Sequence, residues 1–164
     1  MAVSGFKAIA FEQAGTSKSI NEIVRELHYH LVQIGLKHEI DSKRVSLPQQ
    51  VNLLKDSEDG TDRLEMAKLE QDLVTAFSKH FESQISLGQL EAIESSENFP
   101  IQLADLFIGS VARILNKGSD SKLNHKDDLA EYITSLLKID LSHKKHRDSC
   151  SEQEYKDSAF VHFL

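Results

Sequence analysis

Short strand-like segments alternate with longer helical segments along this chain, and this order constrains the fold more than any other feature of the sequence. Apolar runs rich in β-branched or aromatic residues and bounded by turn residues predict strands. Three segments fit this description, namely Phe6–Phe11, Gln50–Leu54 and Gln84–Glu94, the last interrupted by Gly88. Each is followed by a segment with helical periodicity. The alternation predicts an α/β fold whose sheet contains parallel strand pairs.

The first two helical segments begin with capping signals. Ser19 and Glu22 have the spacing of a capping box, and apolar residues then recur at helical intervals until Gly35, where we expect this helix to end. A second stripe, preceded by capping-box residues at positions 62 and 65, runs to Phe81 and predicts a helix packed on the core. Leu36–Val45 could form a polar edge strand between the two.

The length of 164 residues suits one domain with an appendage. Ser, Gly and charged residues at 117–125 predict a linker, so we expect the domain to occupy residues 1–116. Residues 126–164 would then supply a C-terminal helix at Asp127–Ile139 and a polar tail. Phe160–Leu164, at the end of that tail, are apolar enough to dock or to pair elsewhere.

The charge balance excludes one class of nucleic-acid-binding protein. The 26 acidic and 19 basic residues give a net charge of −7, whereas a protein whose whole surface binds nucleic acid needs clustered Lys and Arg. A nuclease is still compatible, because local basic patches and a bound metal can offset an acidic site. Lys144, Lys145 and Arg147 form the main basic cluster of the sequence.

The hydropathy of the chain argues against a membrane protein. No window approaches the roughly 18 consecutive apolar residues of a membrane-spanning helix. The N-terminal residues show neither the basic start nor the long apolar stretch of a signal peptide. We therefore expect a cytoplasmic protein without a membrane partner.

One carboxylate, Asp105, lies within the apolar stretch NFPIQLADLFIGSVARILN at residues 98–116. Apolar residues nearly all round predict a helix that is enclosed on most sides. An isolated charge in such a place costs several kcal/mol, so it must be paired, hydrogen-bonded, protonated or bound to a metal. A structural explanation, such as pairing with Arg113, and a functional one are both open. Gly109, one turn later, leaves room for a neighbour or an ion.

The segment IQLADLFIGSVAR, preceded by the strand and turn LEAIESSENFP, resembles the C-terminal signature of the domain-of-unknown-function family 3800. That family is assigned to the ribonuclease H-like superfamily of metal-dependent nucleases and is common near mobile elements and in phage defence. The resemblance implies that Asp105 is the last acidic ligand of a Mg²⁺ or Mn²⁺ site. It also implies that Gln102 is the motif companion of Asp105, and that nucleic acid is the partner.

The N-terminal part of the family pattern differs in this chain. Members begin with a strand that carries Asp-Glu-Ser-Gly, and the nearest string here is Glu12-Gln13-Ala14-Gly15. The resemblance therefore implies a partial or truncated ribonuclease H-like mixed sheet with flanking helices. A second family acid follows the strand before the second helix, which makes Asp56 and Asp59 candidates, with Asp41 as a further possibility. Glu94, at the end of the last strand, is another candidate ligand.

Two functions follow from these residues. The first is a divergent or incomplete metal-dependent nuclease that hydrolyses phosphodiesters, with Asp105, Asp56 and Asp59 as its catalytic carboxylates. The alternative is a non-catalytic binding or interaction module, or a fragment with a degraded active site. Such a fragment would be completed by another chain or by a second copy of this one.

Overall fold

The fold, taken from a computed structural model, is described for residues 6–10, 17–57, 63–117, 124–137, 141 and 159–163. In chain order these residues form β1 (Phe6–Ala10), α1 (Ile20–Asp41), β2 (Gln49–Asp56), α2 (Arg63–His80), β3 (Ile85–Ile93), a short 3-10 helix (Ser95–Glu97), α3 (Phe99–Asn116), α4 (His125–Leu136) and β4 (Ala159–Phe163). The fold is mixed α/β, as the alternation predicted.

The chain divides into two compact units. One is Glu12–Asn98, and the other combines Met1–Phe11 with Phe99–Leu164. The domain expected at residues 1–116 spans parts of both units, and its boundaries stay a prediction. Below, the two are called the central unit and the terminal unit.

A parallel strand pair forms the sheet of the central unit. β2 and β3 align from Gln49 opposite Ile85 to Asp56 opposite Ile93, and α2 connects them. The buried side chains of α2 are Leu69, Leu73, Ala76 and Phe77. Three of them form one apolar cluster with Ile85 of β3, which confirms the stripe predicted from the sequence.

The start of α1 confirms the predicted capping box. The Ser19 hydroxyl accepts the backbone N–H of Glu22, and the Glu22 carboxylate accepts the backbone N–H of Ser19 at 2.9 Å. That backbone N–H of Ser19 is the main cause that lowers the pKa of Glu22 below its ordinary value. Two of the N–H groups that a helix start leaves open are thereby satisfied.

The predicted end of α1 at Gly35 is wrong, and so is the edge strand at Leu36–Val45. The helix continues to Asp41, because Leu36 and Ile40 pack against the core cluster of the central unit. A glycine inside a helix costs about 1 kcal/mol, and the burial of such apolar side chains outweighs that cost. The helix ends where the Ser42 backbone N–H and hydroxyl both donate to the His38 carbonyl oxygen.

The interruption predicted at Gly88 is a β-bulge. One residue of β2, Asn52, lies opposite the two residues Gly88 and Gln89, because Val51 pairs with Leu87 and Leu53 with Leu90. The Asn52 side-chain oxygen accepts the backbone N–H of Gln89 at 3.1 Å. A Cβ atom at Gly88 would overlap this same oxygen. The bulge therefore needs a residue without a side chain at position 88.

The terminal unit contains a second parallel pair, β1 with β4, and the packed helices α3 and α4. Phe160–Leu164 were expected to dock or pair, and β4 (Ala159–Phe163) does pair with β1. α4 starts at His125, two residues earlier than predicted. Of the described helices, none combines the length and the apolar character needed to cross a membrane.

A partly buried ion pair joins α3 to α4. Arg113 donates to Asp127 at 2.8 Å and to the Asn124 side chain at 3.0 Å, and Asp127 is only 5 % exposed. Asp127 also accepts the backbone N–H of Asn124, which is the N-cap of α4. The Arg113 hydrogen bond, followed by the Asn124 one, lowers the pKa of Asp127.

Gly88 in β3 and Gly109 in α3 give a matched test of the bulge. Gly88→Ala should displace Asn52, break its bond to Gln89 and lower the free energy of unfolding by about 1 kcal/mol in urea titrations. Gly109→Ala, where a Cβ meets nothing within 4 Å inside α3, should raise it by about 1 kcal/mol. Equal effects of the two substitutions would contradict the bulge geometry.

The lowered pKa of Asp127 predicts a pH dependence of stability. A carboxyl group with a lower pKa in the folded state stabilises the fold above the unfolded pKa of about 3.9, and this contribution is lost as the pH falls through the folded value. The melting temperature should therefore drop as the pH falls below about 5. Asp127→Asn should flatten that drop, while Asp128→Asn, at an exposed neighbour, should leave it intact. Equal dependence of the melting temperature on pH in both variants would show that Asp127 does not cause the drop.

Candidate functional site

Two of the predicted ligands lie at the same edge of the central unit. Asp56 is the last residue of β2, and Glu94 directly follows β3. The two strands are parallel and in register there, since the Ser57 N–H donates to the Ile93 carbonyl oxygen at 2.8 Å. The carboxyl ends of parallel strands are where α/β sheets most often bind ligands. We call this edge, with Asp56, Glu94 and Ser95, the carboxylate edge.

Backbone contacts hold Asp56 in a defined position. Its side-chain oxygen Oδ1 accepts the Ser95 backbone N–H at 3.1 Å, and its own carbonyl oxygen accepts the Lys55 ammonium at 3.1 Å. The side chain is partly buried, whereas Glu94 is exposed. The Asp56 carboxylate is thus fixed by the first residue of the 3-10 helix, while the Glu94 side chain is open to solvent.

Asp105 and Gln102 lie on α3, in the terminal unit, and both are exposed. The expectation that this helix is enclosed on most sides is wrong for the face that carries Asp105, because Gly109 and Ala112 on the same face are exposed too. Helical periodicity locates an apolar face, but it does not show whether another element covers it. The burial cost that made Asp105 conspicuous therefore does not apply.

Asp105 lines an open groove of about 700 Å³ between α3 and α4. The groove also contains the cations Arg113, Lys117 and Lys126. Arg113 is engaged by Asp127, and Lys117 lies 3.5 Å from Glu131. The pairing of Asp105 with Arg113, which the sequence left open, is not formed: the carboxylate partner of Arg113 is Asp127.

Of the other candidates for this edge, the structure describes Asp41 but not Asp59. Asp59 falls outside the described residues, as do the basic residues Lys144, Lys145 and Arg147. Asp41 lines a cavity with Leu47 and Gln84, which precede β2 and β3, so it lies at the opposite end of these strands from Asp56.

The residues of the carboxylate edge suit Mg²⁺ or Mn²⁺ in their chemistry. Such hard cations prefer oxygen ligands, and Mg²⁺ is often held by one or two carboxylates while it keeps several waters. Asp56 and Glu94 supply that set. Within the part of the chain that the structure describes, no three His, Cys, Asp or Glu side chains group closely enough to hold a metal ion.

The structure also contains a cleft between α1 and α2 that was not predicted from the sequence. It has a volume of about 650 Å³ and lies wholly within the central unit. Its walls are polar and include Lys79 and His80 from α2 and His30 from α1. In the sequence, Gln71, Thr75 and Lys79 recur at four-residue intervals on α2, a pattern that is typical of an ordinary solvated face.

No family model, curated protein or solved structure matches this chain. The resemblance to the domain-of-unknown-function family 3800 thus rests on the residues 90–116 alone, and it stays a prediction.

Proposed function

We propose that this chain is a divergent ribonuclease H-like domain of metal-dependent nuclease descent, whose carboxylate edge binds Mg²⁺ or Mn²⁺. The observation that supports it best is the position of Asp56 and Glu94 at the carboxyl ends of parallel strands. The Ser95 N–H fixes one of these carboxylates, so it is oriented before any ligand arrives. Preorganised oxygen ligands cost less to order when a cation binds.

The chemistry of the proposed site needs both a cation and a phosphodiester. When bound, a divalent cation activates water and stabilises the leaving oxygen in phosphodiester hydrolysis. Asp56 and Glu94 would hold it, and a ligand role for Asp105 on α3 stays a separate prediction of the family resemblance. The net charge of −7 repels a polyanion, so nucleic acid would be held by local cations rather than by the whole surface.

A cleavage assay with two substitutions tests the nuclease proposal. Single-stranded and duplex DNA and RNA are incubated with Mn²⁺ and the full chain. Asp56→Asn keeps an oxygen that can accept the Ser95 N–H but removes the charge, so the fold should persist while cleavage falls at least about tenfold. Asp105→Asn should do the same. Asp128→Asn, at an exposed carboxylate of α4, is the matched control and should cleave normally.

Two results would overturn the assignment. Cleavage that survives both Asp56→Asn and Asp105→Asn would show that these carboxylates do not hold the cation. A full chain that cleaves nothing and shows no Mn²⁺ binding by calorimetry would reject the nuclease proposal as a whole.

A non-catalytic interaction module is the second candidate, and exposed apolar side chains of the terminal unit favour it. Phe99 is 71 % exposed, Tyr132 66 % and Leu129 48 %. Leu129 lines the α3–α4 groove together with the exposed Leu106, and apolar side chains exposed together typically mark a binding surface. The α3–α4 groove also holds Asp105 and Lys126, charges of opposite sign that a second copy could complement. Analytical ultracentrifugation tests this function. It is supported if the chain sediments as a dimer, if Leu129→Glu dissociates the dimer, and if the chain binds no Mn²⁺.

A further inference from the structure

From the cleft between α1 and α2 we infer a second binding site, one that takes a phosphate group. The inference begins with the charges in its walls. Two acidic side chains line the cleft, and both are already engaged: Glu26 accepts the Lys18 ammonium at 2.7 and 2.6 Å, and Asp72 lies 3.7 Å from Arg25. Three cations, Lys18, Arg25 and Lys79, line the cleft against these two carboxylates.

The remaining charged and imidazole groups of the cleft are donors. Lys79, His30 and His80 line it, and their side chains make no hydrogen bond or ion pair with any residue that the structure describes. The Gln71 amide lies on the same row of α2, two turns before Lys79. An ammonium, two imidazoles and an amide can thus donate into one cleft, in a chain that is otherwise strongly acidic.

The kind of donor favours phosphate over a planar carboxylate. A guanidinium can bind a carboxylate through two parallel hydrogen bonds, and Arg25 supplies the guanidinium of this cleft. It is already paired with Glu65 at 3.0 Å and lies 3.7 Å from Asp72. The free groups are a point charge and rings, which suit a tetrahedral anion approached from several sides. A volume of about 650 Å³ admits a nucleotide-sized ligand. The phosphate of a free nucleotide and that of a nucleic-acid backbone share this chemistry.

The simplest alternative is that these basic side chains stabilise α2 itself. Lys79 and His80 lie in the last turn of α2, where the carbonyl ends of the helix attract positive charge. Under that alternative, substitutions at Lys79 change the melting temperature but no binding constant. The two roles are therefore separable by measuring both quantities on the same variants.

The test uses the full chain in EDTA, so it does not depend on the carboxylate edge or on the nuclease proposal. Inorganic phosphate, adenosine monophosphate and a fluorescent single-stranded oligonucleotide are titrated by NMR or fluorescence anisotropy. Lys79→Glu should weaken binding at least about tenfold, and Lys79→Gln less. Lys68→Glu is the control, since Lys68 is exposed on the same helix, pairs with Glu65 and lies outside the cleft.

The probes distinguish the two sources of phosphate. Binding of adenosine monophosphate that depends on Lys79 indicates a nucleotide site. Binding of the oligonucleotide alone, with a salt dependence that Lys79→Gln reduces by about one unit, indicates a nucleic-acid backbone. Absence of binding to all three probes, or equal weakening by Lys79→Glu and Lys68→Glu, would overturn the inference. Circular dichroism of each variant shows that a loss of binding is not a loss of fold.

Discussion

The packing of α2 on the start of β3 is the interaction on which the central unit depends. Leu69, Leu73 and Phe77 form one cluster with Ile85, and full burial of such side chains stabilises a fold by about 1.5–3 kcal/mol each. Because α2 connects β2 to β3, this packing holds the two strands parallel. Their carboxyl ends then meet at one edge, which brings Asp56 beside Ser95. The same helix supplies Lys79 and His80 to the cleft on its other side. Without the cluster, neither site would form.

Local chemistry explains which parts of this architecture could be predicted from the sequence. The capping box of Ser19 and Glu22 depends on residues three apart, and the stripe of α2 depends on helical spacing, so both could be read directly. Gly88 also indicates the β-bulge, because a glycine inside a strand often marks one. In each case the residues that decide the structure are close together in the chain or repeat at a fixed interval.

Tertiary contacts decided the features that the sequence could not show. α1 passes through Gly35 because Leu36 and Ile40 reach a core built from Leu69, Leu73, Phe77 and Ile85, far away in the sequence. Asp105 was expected to be enclosed, yet the covering of a helix face depends on which element packs there, and α4 leaves an open groove at the face of α3 that carries the carboxylate. Of the candidate ligands, Asp56 and Glu94 could be placed together because parallel strands put their ends at one edge. The α1–α2 cleft could not be predicted, because it combines residues from two helices that have no shared motif.

Binding of a divalent cation at the carboxylate edge is the central claim, and paramagnetic broadening tests it most directly. Mn²⁺ added in small amounts to the ¹⁵N-labelled full chain should first broaden the amide signals of Asp56, Ser57 and Ser95. Asp56→Asn should abolish that broadening while leaving the rest of the spectrum in place. Broadening that spreads evenly over the many exposed carboxylates, or that persists unchanged in Asp56→Asn, would contradict the account.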